Sequence, residues 1–168
     1  MRFRNDVMTA EIARGLWSYD LETGIFRWKI RSHHRLQVGD VAGCGDGHGR
    51  WVLTFQGKKR FASRVAWLIV TGAWPEMEID HIDCDPLNNK WNNLRQATRT
   101  QQNCNMKTRK DNPLGAKGVR KRTKTTFEAY VSLNGERRML GPFKTLEEAK
   151  AARDAVAAEL HGEFQRGA

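Results

Sequence analysis

The chain has 168 residues, of which 39% are hydrophobic and 29% charged, with a formal net charge of +10 and a sequence pI near 10.0. That composition excludes a disordered chain and leaves room for one ordinary domain or two or three small ones in series. No run approaches the roughly 20 apolar residues of a membrane span and "MRFRNDVMTA" lacks the apolar core of a signal peptide, so a cytoplasmic protein without membrane association is expected.

The basic surplus points to nucleic acid as the polyanionic partner, because no basic amphipathic helix suggests a membrane surface. Cys44, Cys84 and Cys104 are odd in number and far apart, with no CxxC pair, and are read as thiols outside any disulfide or zinc site. In "VMTAEIARGLW", Val7, Ile12 and Leu16 fit one face of a short helix opened by Thr9. "GIFRWKI", "GDVAG", "RWVLTF" and "KKRFAS" follow as short strands of a small antiparallel sheet, separated by glycines and turns. "SRVAWLIVTG" reads as a buried helix with Gly72 near its end and "WP" at Trp74 and Pro75 stopping it. Trp28, Trp51 and Trp67 are assigned to core packing.

Charge then changes abruptly. Residues 1–75 hold twelve Lys and Arg against six Asp and Glu, whereas "EMEIDHIDCDPLNN" (76–89) holds five carboxylates and no Lys or Arg; residues 90–112 return to six against one. An EF-hand loop starting at Asp83 fails, since Asn88 and Leu94 stand where its turn glycine and twelfth-position Glu belong. A solvated acidic turn is the common explanation of such a run. An aspartate pair for hydrolysis would leave His81 unexplained. The remaining reading joins Asp80 and His81 to the later "NNKWNNL" and "TQQNCN". Hydrolysis of a phosphodiester needs a base to activate water and a cation to stabilise the developing charge. Adjacent strand residues point to opposite faces, so a bend or loop must bring both groups to one phosphate. A strand with Asp80 and His81, a loop through Pro86, a return strand near Leu94 to Ala97 and a helix from about Thr100, a ββα hairpin, is the simplest arrangement that returns Asn103 to Asp80.

Over "RVAWLIVTGAWPEMEIDHIDCDPLNNKWNNLRQATRTQQNCN" the chain resembles the HNH endonucleases, specifically their phage homing-type branch. The resemblance implies His81 as general base, Asp80 and Asn103 as metal ligands, and Asn93 as the residue that braces the loop by bonding to backbone. It departs from the family pattern at Ser63 and Arg64, where relatives often have "HR", and at Cys84, where they usually have a glycine able to take positive φ. Asp80 and Asn103 offer oxygen alone, which suits Mg²⁺, or Mn²⁺, rather than zinc. His33, His34, His48 and His161 form no ligand set and are assigned to surface or substrate contact.

After the linker-like "KTRKDNPLGAKG", residues 113–168 read as three strands and a helix, with an "NGE" turn and a helix opened by Thr145 and Glu148. Leu146, Ala149, Ala152, Arg153, Val156 and Leu160 make a mostly apolar stripe for packing on the sheet. Residues 114–140 carry seven basic to two acidic residues, and 141–168 four to five, so the sheet is the basic part. Through "GVRK", "LGPF", "EEAKAARDAVA" and "HGEF" this tail is similar to the AP2 DNA-binding domain, which implies a sheet that enters the DNA major groove. By position the DNA contacts are Arg120, Arg122, Lys124, Arg137 and Arg138, while Phe127 replaces a common tryptophan.

The fold class expected is α+β in three parts: a small β-rich region with flanking helices (1–75), an HNH ββα-metal motif (76–112) and an AP2-like three-stranded antiparallel sheet packed on one helix (113–168). The function implied is that of a free-standing, phage-encoded, metal-dependent homing endonuclease acting on double-stranded DNA in the host cytoplasm, with no small-molecule cofactor. The alternative is a catalytically inactive AP2/HNH DNA-binding transcriptional regulator.

Overall fold

The computed structural model describes residues 8–31, 34–106, 108, 111–133 and 136–164, so Val7 and His33 lie outside the described residues. Among them are four α-helices and four small antiparallel sheets, a mixed α and β architecture. The chain divides into two compact units, Met1–Ala97 and Thr98–Ala168.

In the first unit, Thr9 caps α1 (Ala10–Leu16) by accepting from the Ile12 N–H. The buried side of α1 is Ala10, Ala13 and Leu16, with Ile12 half-buried against the same core. Its end differs from the sequence reading: Trp17 adopts an extended backbone and opens β1 (Trp17–Tyr19), paired with β2 (Phe26–Trp28). The reason is packing. Trp17 is 1% exposed and its ring lies 5.7 Å from that of Trp28, a placement that a continued helix would forfeit. Trp17 is thus the deeply buried indole; Trp28 and Trp51 are half-buried on the edge of the core, and Trp67 pairs with Trp91 at 5.1 Å. "GDVAG" forms a single bridge, Arg27 to Val41, rather than a strand. A three-stranded sheet is made instead by β3 (Cys44–Gly45), β4 (Trp51–Phe55) and β5 (Lys58–Phe61), in the order β3-β4-β5. Helix α2 (Ala62–Thr71) buries Val65, Ala66 and Leu68 and ends at Gly72, whose φ of 84° is open to glycine without a Cβ penalty. Arg64 on α2 donates to the carbonyls of Pro75 and Met77, fixing the chain that leads into β6 (Glu78–His81). Strand β7 (Leu94–Ala97) pairs with β6, and Leu94 joins the core.

The β1–β2 hairpin also reaches the long β6–β7 loop. The Asp20 carboxylate accepts from the N–H groups of Glu22 and Thr23 and shapes the hairpin turn, which holds this exposed carboxyl below the usual range. From that turn Leu21 accepts from the Trp91 N–H at 3.0 Å, and the Tyr19 hydroxyl donates to the Asn89 carbonyl at 2.6 Å. Burial pushes the Tyr19 phenol well above its ordinary pKa, so it remains a donor at every physiological pH.

In the second unit, Thr98 and Gln101 form a capping box that opens α3 (Arg99–Asn105), and the Lys117 ammonium donates to the carbonyls of Asn103, Cys104 and Met106 at its other end. Cys104 is buried, which raises its thiol pKa against the opposing pull of Lys117 and Arg153. Strands β8 (Val119–Lys121), β9 (Phe127–Leu133) and β10 (Glu136–Phe143) form a sheet in the order β10-β9-β8, and α4 (Leu146–His161), opened by the Thr145–Glu148 capping box, packs on it. Within the expected α4 stripe Ala149 and Arg153 are buried, the others half-buried, and Ala157 joins them. The turn residues Asn134 and Gly135 and the side chain of His161 lie outside the described residues.

Gly24 tests the hairpin contact. Its φ is 72°, and a Cβ there would stand 2.4 Å from the Asn89 carbonyl carbon and 2.6 Å from the Lys90 nitrogen. Gly24→Ala is expected to cost about 2 kcal/mol or more and to lower Tm by roughly 5 °C in a thermal melt, through strain and backbone displacement combined.

Candidate active site

The β6–β7 register sets Asp80 opposite Arg95 and His81 opposite Leu94. Directly opposed residues share a face, so Asp80 and His81 leave the strand on opposite sides. The Arg95 Nε–H donates to Asp80 Oδ2 at 3.0 Å, and both side chains are nearly buried. Arg95 was not singled out in the sequence, because only the register shows that it faces Asp80.

Between the strands runs a loop whose backbone is tied by side chains rather than by a ladder. Asn93, 8% exposed, accepts the Asp83 N–H at its Oδ1 (3.0 Å) and donates from Nδ2 to Asp83 Oδ1 (2.9 Å) and the Asn88 carbonyl (2.8 Å). Asp83 in turn accepts from the Asp85 N–H and from Asn88 Nδ2, and Asp85 accepts from the Leu87 N–H. Burial raises the Asp83 pKa, but the Asp85 N–H, the Asn88 and Asn93 amides and nearby His81 outweigh it and hold the carboxyl below its usual value. Two carboxylates of the acidic stretch therefore serve the loop's own conformation. Cys84 has φ 60°, the left-handed conformation that glycine adopts without a Cβ penalty; the surrounding bonds hold a residue there at a local cost of about 1 kcal/mol.

His81 is half-buried, and its Nε2 lies 3.3 Å from Asn89 Oδ1. Asn89 is 4% exposed and was missed in the sequence, where "NN" gives no sign of which amide turns inward. Asn103 is exposed on α3, in the second unit, one residue after half-buried Gln102. Ser63, at a position of departure, is buried on α2. Among the described residues no three His, Cys, Asp or Glu side chains gather as a metal cluster. Asp80 and Asn103 each carry oxygen donors, the hard-ligand chemistry that magnesium or manganese takes.

The five basic candidates of the second unit do not share one face. Register places Arg120 opposite Glu128 and Arg137 opposite Ser132, on the side of the sheet away from buried Ala129 and Val131. There Arg120 pairs with Glu128 at 2.6 Å and the Arg137 guanidinium lies 4.4 Å from the centroid of the Tyr130 ring. Arg138 is opposite Val131, on the helix side of the edge strand, yet exposed. Arg122 and Lys124 are exposed in the β8–β9 turn.

Residues 60–104 match a family described as HNH endonuclease, a span that contains Asp80, His81, Asn93 and Asn103. An uncharacterised HNH endonuclease of Acanthamoeba polyphaga mimivirus is 36% identical over 139 residues, covering 82% of this chain and 68% of that protein. The chain belongs to the HNH endonuclease family. Protein 3.8 of Escherichia phage T7 is 34% identical over 102 residues, 60% of this chain and 84% of that protein, so this HNH chain has relatives in two viruses. No solved structure matches it.

Asp83→Ala removes the acceptor of the Asn88 amide and one of the two acceptors of the Asn93 amide and is expected to cost about 1 kcal/mol near neutral pH, the low end because the site is partly solvated. A carboxyl held below its unfolded pKa, ordinarily about 3.9, contributes its stability above that value and loses it as pH falls through the folded one. The wild-type excess in urea melts should therefore be constant from about pH 5 to 8 and shrink below about pH 4.

Proposed function

We propose that the protein is a metal-dependent, site-specific homing endonuclease that hydrolyses double-stranded DNA, with His81 as general base, Asp80 and Asn103 as metal ligands and Asn93 as the loop brace. The observation that carries this reading is the placement of His81, half-buried at the end of β6, next after Asp80 in the chain and at the start of a loop closed by Asn93, inside the family-matched segment. His81 takes a proton from water, the oxygen attacks phosphorus, the bond to the 3′ oxygen breaks and that oxygen is protonated. The ends are a 5′-phosphate and a 3′-hydroxyl. A divalent cation, Mg²⁺ or Mn²⁺, supplies charge neutralisation at the phosphate when bound.

The second unit is the AP2-like reader in this proposal. Arg120 and Arg137 reach DNA from the open face of the sheet, Arg122 and Lys124 from the β8–β9 turn, and Arg138 from the edge strand. Support comes from the concentration of basic side chains on strands and turn while α4 covers the other face. The viral relatives support a phage-encoded protein acting in the host cytoplasm, and no described helix is long and apolar enough to cross a membrane.

A plasmid-cleavage assay with added Mg²⁺ or Mn²⁺ tests the enzyme against the inactive regulator. His81→Ala should lower the cleavage rate by about 10²- to 10⁴-fold with DNA binding unchanged. Asp80→Ala and Asn103→Ala should each raise the metal concentration needed for half-maximal cutting, with Gln102→Ala as the neighbouring control; an effect at Gln102 and none at Asn103 would reassign that ligand. No cleavage by the wild type in either metal would favour the regulator.

Replacing Arg120 and Arg137 together by Gln in the full chain should weaken binding and flatten the dependence of log affinity on log salt by about 2, since each phosphate contact contributes roughly 0.9. An unchanged slope would remove that face from the DNA interface.

A further inference from the structure

We propose that Asn89 is a positioning residue for His81 and that Tyr19, seventy residues earlier in the chain, holds Asn89 in place; the inference rests on the reading of His81 as the base. Asn89 Nδ2 donates to the Leu87 carbonyl at 3.2 Å, which fixes the amide so that Oδ1 faces His81 Nε2 at 3.3 Å. An amide oxygen only accepts, so the imidazole nitrogen facing it carries the hydrogen. In the neutral ring the lone pair is then on Nδ1, the atom left to take a proton from water. Asn89 thus sets both the ring's orientation and which nitrogen is basic.

Asn89 itself is held from the other side. Its carbonyl accepts the Tyr19 hydroxyl at 2.6 Å, and Gly24 permits the hairpin to lie against the Asn89–Lys90 peptide. Tyr19 is kept in register by β1–β2 pairing and by its ring, 4.7 Å from that of Phe26. The β1–β2 hairpin, which lies outside the family-matched segment, is in this account the support of the catalytic base. Position matters because a displacement of about 1 Å in a reacting group can cost on the order of 10²-fold.

The test uses the full chain. Asn89→Leu should lower kcat about 10- to 100-fold with KM for DNA unchanged, and Tyr19→Phe, which keeps the ring and deletes one hydroxyl, should lower it several-fold. Combined, the two should be no worse than Asn89→Leu alone, because they act through one contact. The second readout is independent of activity: in ¹⁵N-labelled, metal-free protein the His81 Nε2–H should give a slowly exchanging imidazole resonance that is lost in Asn89→Leu and exchanges faster in Tyr19→Phe. A resonance unchanged in both variants, or additive losses of kcat, would overturn the relay. Should His81→Ala still cut DNA while the resonance behaves as described, the base assignment fails and the positioning contact stands.

Discussion

The paired bonds between Asn93 and Asp83 are the constraint on which the site depends. A loop of a dozen residues between two four-residue strands cannot be held by the β6–β7 ladder alone, because a short two-stranded pair is marginal in water. Here the amide of one strand end and the carboxylate of the other meet across the loop's neck, and the Asn88 carbonyl is drawn into the same amide. Closing the neck lets the outer residues form successive side-chain turns at Asp83 and Asp85. It also places Asn89 inward, against His81, rather than in solvent.

The acidic stretch in a basic chain then has a divided explanation. Asp83 and Asp85 satisfy backbone and amide donors of the loop, and Asp80 is balanced by Arg95 across the ladder. Only Asp80 is assigned to a cation in the proposed reaction, so the surplus of negative charge is largely architectural. That charge is tolerated because Asp80, Asp83 and Asp85 meet donors in place; Asp83 and Asp85 without Asn88 and Asn93 would repel one another.

Legibility in the sequence followed the range of the interactions. Thr9 and Thr145 as caps, Gly72 as a stop, and the strand pair around "DH" and "NNL" are local patterns, and the structure has elements at those positions. The end of α1 was not legible, since Trp17 closes the stretch read as a helix and only its burial against Trp28 turns the chain into β1. "GDVAG" reads as a strand, but its bonds to Phe26 and Trp28 flank a single bridge at Arg27 and Val41 and extend into no ladder. Arg95, Asn89 and Tyr19 were invisible because their importance is set by register or by a contact seventy residues away. The split of Arg137 and Arg138 onto opposite sides of the sheet likewise follows from a register that composition does not contain.

Amide hydrogen exchange in the β6–β7 loop tests the central claim most directly, since the Asp83, Asp85 and Leu87 amides lie outside any strand yet donate to side-chain oxygens. The account predicts that these amides are protected well beyond an unstructured chain in the wild type and that Asn93→Ala removes the protection of all three together while the amides of α4 are unaffected. Exchange at the unstructured rate in the wild type, or loss confined to Asp83 alone, would contradict it.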